Sequence, residues 1–136
     1  MREVCYLLGA AGRVLWSDAG TSPAALPDSR ARWEAIWDLR AELVEIAHSH
    51  PVGPLGFSYE DETTMAALAA ALGRAPRFSV VAPAGMLARI DGGDVRVVDE
   101  PPWAADLRRE SGMVENEENE ESEESEESEE REEDES

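Results

Sequence analysis

From Glu110 the chain runs ESGMVENEENEESEESEESEEREEDES to its last residue. Residues 110–136 hold sixteen acidic groups, one Arg and almost no apolar side chains. Such a segment cannot bury enough surface to offset the entropy of ordering it. It reads as a disordered, Glu/Ser-rich acidic tail, which leaves residues 1–109 to form one folded domain. The charge divides at the same place. Of the chain's −19, −15 sits in the tail, while fifteen acidic groups and eleven Arg leave the body at −4. The body is thus an ordinary, mildly acidic domain. It has no basic stripe of the kind that follows a phosphate backbone, so nucleic acid is not an expected partner.

Other features narrow the class further. Every basic residue is Arg, so no lysine can form a Schiff base. Cys5 stands alone, which rules out a disulfide within the chain and fits a reducing compartment. The first residues, MREVCYLLGAAGRV, lack the pattern of a secretory signal. No apolar stretch approaches the roughly 20 residues of a membrane span. A cytoplasmic protein without membrane association is expected.

Within the body, residues 4–9 and 13–16 read as a hairpin around Ala-Ala-Gly. Glu3, Cys5 and Leu7 then share one face of the first strand. After a Ser/Gly/Pro-rich loop, Asp28 or Ser29 caps a helix to about Arg40, with Trp33, Ile36 and Trp37 on one stripe. Residues 42–50 read as a strand with Val44, Ile46, His48 and His50 on one face. Ser58-x-x-Asp61 is a variant capping box that opens a second helix. Met65, Leu68, Ala69 and Leu72 form its buried stripe, and Gly73 ends it. Residues 78–82, 86–90 and 95–98 read as three more strands, the last two joined by Asp-Gly-Gly-Asp. Residues 103–109 make a short closing helix. The class is α/β, a mixed sheet packed by helices.

The stretch that bears chemistry is residues 48–61, HSHPVGPLGFSYED. It holds both histidines of the chain. At i and i+2 on a strand they project from one face, close enough to share a metal ion. Asp61 enters from the first turn of the next helix, on its inward side. A carboxylate there is costly unless it is paired or bound to metal. Two histidines and an aspartate, with one position left to water, make the open arrangement of a catalytic zinc site. The same donors accept several divalent ions. Taken singly, each residue has a plainer reading: the histidines as a polar strand edge, Asp61 as a capping charge favoured by the helix dipole.

His48-Ser49-His50-Pro51, six residues, then Ser58-x-x-Asp61 resembles the JAMM metalloprotease motif of the JAB/MPN domain family. The family also carries an upstream glutamate on its first strand, and Glu3-Val4-Cys5-Tyr6-Leu7-Leu8-Gly9 is similar to that context. The resemblance spans most of residues 1–100. It implies a JAB/MPN domain with cytidine-deaminase-like layering, in the family's compact prokaryotic form. It implies one zinc ion per chain, with His48, His50 and Asp61 as ligands. It makes Glu3 the general base acting on a metal-activated water, and Ser58 a donor to the oxyanion. Two positions depart from the pattern. Only Met1 and Arg2 precede the Glu3 strand, where the family usually has a helix, so one sheet face is expected to be less covered and Glu3 less firmly held. Tyr6 stands where the family often has Gly.

The implied activity is that of a zinc metallopeptidase or isopeptidase, deubiquitinase-like. Its expected substrate is a bond at the C-terminus of a ubiquitin-like or sulfur-carrier protein. The competing expectation is a non-catalytic MPN-type scaffold. A zinc deaminase is excluded, because those enzymes bind metal through two or three cysteines. Cys5 is expected to be a small buried apolar residue.

Overall fold

The computed structural model describes residues 1–113. It is a mixed α/β structure of six strands and three helices. The elements are β1 (Val4–Leu8), a 3-10 turn (Ala10–Gly12), β2 (Val14–Ala19), α1 (Arg30–Asp38), β3 (Glu45–Ser49), α2 (Tyr59–Leu72), β4 (Arg77–Ala82), β5 (Gly85–Arg89), β6 (Val95–Val97) and α3 (Pro102–Ser111). One sheet runs in the order β2-β1-β3-β4-β5-β6. Every neighbouring pair is antiparallel except β3 and β4. A parallel pair needs a crossover, and α2 supplies it.

Alternation along the inner strands divides the core between two faces. Val4, Tyr6, Leu8, Ala47, Val81 and Met86 pack with Trp103, Ala104 and Leu107 of α3. Cys5, Leu7, Ile46 and Phe78 point the other way, toward Ile36 of α1 and Met65 and Leu68 of α2. β1, β3 and β4 are therefore covered on both sides; β1 is a continuous apolar run, as such a strand should be, while β3 also carries Glu45, His48 and Ser49. Neither face is left less covered as expected: α1 and α2 pack on one and α3, the last described helix, on the other.

The helix ends follow local chemistry. Ser29 caps α1 by accepting from Arg32 N–H, at 3.2 Å. Ser58 and Asp61 form a complete capping box on α2. Gly73 closes α2 in the left-handed region (φ 74°), where a side chain would be strained. Asp91 and Gly92 both take positive φ between β5 and β6, as a tight hairpin turn requires. Pro101 and Pro102 start α3, which suits a residue with no N–H to donate.

Three expectations need correction. Trp37 does not join Trp33 and Ile36 in the core. It is half exposed at the last turn of α1, with the Arg40 guanidinium 3.9 Å from its ring centre. Val44 is also exposed, although its N–H still bonds Leu8 O. It lies one residue before β3, beyond the cover of the helices. The boundary at Glu110 falls too early. Tyr6 Oη donates to the Glu110 carboxylate at 2.6 Å, Ser111 is buried within α3, and Met113 is buried beyond its Gly112 cap. The acidic composition of the tail hid these four residues. The rest of the expected disordered tail, residues 114–136, lies outside the described residues. Among the described residues no helix is long and apolar enough to cross a membrane.

A chain ending at residue 113 is expected to outlast one ending at residue 109 in urea. Burying Met113 contributes about 1.5–3 kcal/mol, and the lost hydrogen bonds about 0.5–1.5 kcal/mol each. The shorter chain should therefore be less stable by at least about 2 kcal/mol. Equal unfolding midpoints would contradict the packing of residues 110–113.

Candidate metal centre

The centre forms where β3 ends and α2 begins. Ile46 and His48 alternate with Ala47 and Ser49, so His48 faces the α1/α2 side of the sheet. His50 lies one residue past β3, and its N–H still bonds Val81 O at 2.8 Å. Pro51 stops the ladder and a Gly/Pro loop returns the chain to Ser58. The capping box then orients Asp61. Ser58 Oγ accepts from Asp61 N–H at 3.0 Å, and Ser58 N–H donates to Asp61 Oδ2 at 2.8 Å. The plain capping role and the inward placement of Asp61 thus hold together.

The three side chains converge. His48 Nε2 lies 3.2 Å from Asp61 Oδ1, and His50 Nε2 lies 3.2 Å from Asp61 Oδ2. The two Nε2 atoms are 3.0 Å apart. The side chains are only 16%, 13% and 19% exposed, respectively. One ligand atom from each lies within 4.8 Å of the others, so the group could hold a metal ion. Hydrogen bonding alone explains the triangle poorly. Each neutral Nε2 carries at most one proton, so two protons serve three short edges. A cation at the centre satisfies all three donors together. Tetrahedral zinc, with bonds of about 2.0–2.2 Å, separates its ligands by roughly 3.3 Å, close to the spacing here.

Glu3 reaches the same place from β1. Cys5 pairs with His48 in the β1–β3 register. Continued by two residues, that register brings Glu3 opposite His50. Glu3 N–H donates to Ser22 O at 3.0 Å and Gly20 N–H donates to Glu3 O at 2.9 Å. At 7% exposure Glu3 is neither frayed nor solvated, contrary to the looser hold expected of it. Burial raises its pKa, and the neighbouring Asp61 charge adds to this, while His48 and His50 pull it down.

The electrostatics favour an ionised aspartate. Burial works against its charge. Hydrogen bonds from His48 and His50 and from the Ser58 backbone outweigh burial and hold Asp61 well below the usual carboxylate range. His50 is also penalised by burial, but its hydrogen bond to Asp61, the Asp61 and Glu3 charges and a bond to the Gly56 backbone raise its pKa. That backbone bond helps fix the ring, as the outer partners of metal-ligating histidines do.

Glu3, His48, His50, Ser58 and Asp61 all line one open cleft of about 860 Å³. Its apolar walls include Leu26, Trp33, Ile36 and Phe78. Ser58 is exposed, and its cap bond uses an oxygen lone pair, which leaves its O–H free to donate. Cys5 lies beneath at 2% exposure, its thiol pushed up to about 12 by burial, so it is a packing residue. Trp33 lines the cleft; Trp37 does not.

Two contributions have no motif of their own in the sequence. Arg32 holds Asp18 with Nε at 3.1 Å from both carboxylate oxygens and Nη2 at 2.9 Å from Oδ2, tying α1 to β2 along the cleft wall. Ser49, between the histidines, faces away from them and is fully buried. Its Oγ accepts from Val4 N–H at 2.9 Å and meets Ser111 Oγ at 2.6 Å. It thereby joins the histidine strand to the residue after Glu3 and to α3. Strand alternation predicts the inward turn of Ser49, but its partners are distant in sequence.

No known family model matches the chain, and no curated protein matches it.

Elemental mass spectrometry on purified protein is expected to find about one divalent ion per chain, lost in His50→Ala. Binding should also weaken on acidification. A protonated imidazole cannot ligate, and the raised pKa of His50 keeps its proton on to a higher pH than an ordinary histidine near 6.5. A chelator competition series from pH 8 to pH 5 should show affinity falling earlier than a model imidazole would dictate. A flat profile would contradict the coupling of His50 to Asp61.

Proposed function

We propose that the chain is a zinc-dependent peptidase or isopeptidase of the JAMM type, built on a JAB/MPN domain. The convergence of His48, His50 and Asp61 beside a buried glutamate in one open cleft carries this reading. The order of elements agrees with it: a Glu-bearing first strand, a His-Ser-His strand, then an Asp-bearing helix. Two imidazoles and one carboxylate suit zinc with a position left open. A bound zinc ion would lower the pKa of water to about 7 and polarise a carbonyl.

The chain's own residues supply the rest. Glu3 accepts a proton from the attacking water and delivers it to the departing amine. Its clamped backbone and small exposure keep it from swinging into solvent. Ser58 O–H donates to the carbonyl oxygen as charge gathers there, an interaction worth roughly 10² in rate at comparable sites. A cleft open to solvent suits a bond at the C-terminus of a ubiquitin-like or sulfur-carrier protein.

The test is to incubate the zinc-loaded protein with peptide- and isopeptide-linked carrier adducts. Glu3→Gln should keep the metal yet lose about 10²–10⁴ in rate, the usual contribution of a positioned base. Full metal occupancy with no cleavage by the native chain, and partner binding unchanged in Glu3→Gln, would favour a scaffold instead.

A further inference from the structure

Asp61 is the one member of the triad that does not come from the β3 strand and its end. Its position depends on how the first turn of α2 is held over the sheet. The capping box fixes Asp61 relative to Ser58, within the turn itself. The buried anchors Met65 and Leu68 lie further along the helix. Around Asp61, the residues Ser58, Tyr59, Glu60 and Glu62 are exposed.

Arg89, the last residue of β5, reaches this turn from two strands beyond β3. Its Nη1 donates to Glu62 Oε1 at 2.5 Å and its Nη2 to Glu62 Oε2 at 3.2 Å. Its Nε donates to Gly93 O at 3.1 Å, which fixes the fork against the β5–β6 turn. The guanidinium carbon lies 5.7 Å from the Phe57 ring centre, and Nη1 lies 4.0 Å from Met65 Sδ. Phe57 directly precedes the Ser58 cap, and its ring is 6.3 Å from that of His48. One planar group thus touches the residue after Asp61, the residue before its cap and the residue one turn beyond it.

We propose that Arg89 is a positioning residue for the metal centre, holding Asp61 through Glu62 and bracing His48 through Phe57. This rests on the reading that the triad binds metal. A planar fork suits both contacts at once, bonding a carboxylate through two nitrogens while its charge lies over the face of a ring. At 22% and 47% side-chain exposure, the Arg89–Glu62 pair should matter little for folding itself. Metal ligation is more demanding, because ligands must be held to within about 0.5 Å.

The experiment compares native chain, Arg89→Ala, Arg89→Lys and Glu62→Gln. Each is assayed for zinc affinity by chelator competition, for the visible spectrum of its cobalt form, and for melting without metal. Arg89→Ala and Glu62→Gln should each weaken zinc binding about 10- to 100-fold, as loss of an outer partner does. They should also alter the cobalt bands, while metal-free melting stays near that of the native chain. Arg89→Lys should recover only part of the affinity. Native affinity and native cobalt bands in both Arg89→Ala and Glu62→Gln would overturn the proposal while leaving the metal site intact. A native chain that binds no metal would defeat the site and this proposal together. Should Arg89→Ala fail to fold, Glu62→Gln, at an exposed position, decides the matter.

Discussion

The candidate site depends on the parallel pairing of β3 with β4. Parallel neighbours cannot be joined by a tight turn, so the chain must leave β3, cross the sheet face as a helix and return. The crossover begins where β3 stops. His50 and Pro51 end the strand, a six-residue loop turns back, and Ser58 starts α2 above the same strand end. A carboxylate in the first turn of that helix therefore meets the histidines of the strand it has just left. The antiparallel β1 completes the arrangement, because its register brings Glu3 alongside from the opposite direction.

Asp61 shows how closely folding and chemistry share atoms here. Its Oδ2 both accepts the Ser58 N–H and faces His50. The helix start is thus built around a charge that the neighbouring imidazoles also stabilise. In the metal-free chain, stability from this ionised carboxylate is present above its unfolded pKa and lost as pH falls through the depressed folded value. For His50 the sign is opposite. Its contribution is complete below the unfolded pKa and lost as pH rises through the raised folded value. A metal ion held by the three side chains would take over the imidazole proton's role on the alkaline side.

Much of the site was legible because its signals are local. His48 and His50 differ by one pleat, Ser58 and Asp61 by one helical turn, and each spacing fixes a direction. The fold was legible for a similar reason: Gly73, the Asp91–Gly92 turn and Ser29 each mark an element end by their own chemistry. What the sequence concealed was contact between distant segments. Nothing near Ser49 announces Ser111, and nothing near Glu62 announces Arg89. Trp37 misleads because helical spacing does not reveal that α1 ends one residue later. Glu110 misleads because its composition belongs to the acidic run while its carboxylate belongs to Tyr6.

The two ends of the described chain are joined. Arg2 N–H donates to Ser111 O, the Arg2 side chain reaches Glu110 O, and Gly112 sits against Met1. Glu3 lies within this clasp. During synthesis, all three proposed metal ligands and both strands that flank β3 are made before α3. A nascent chain that has emerged only as far as β6 thus holds the complete donor set, but not the helix that secures the residues around Glu3. Metal capture by that donor set would then precede the seating of Glu3, which awaits α3, the last of the described helices.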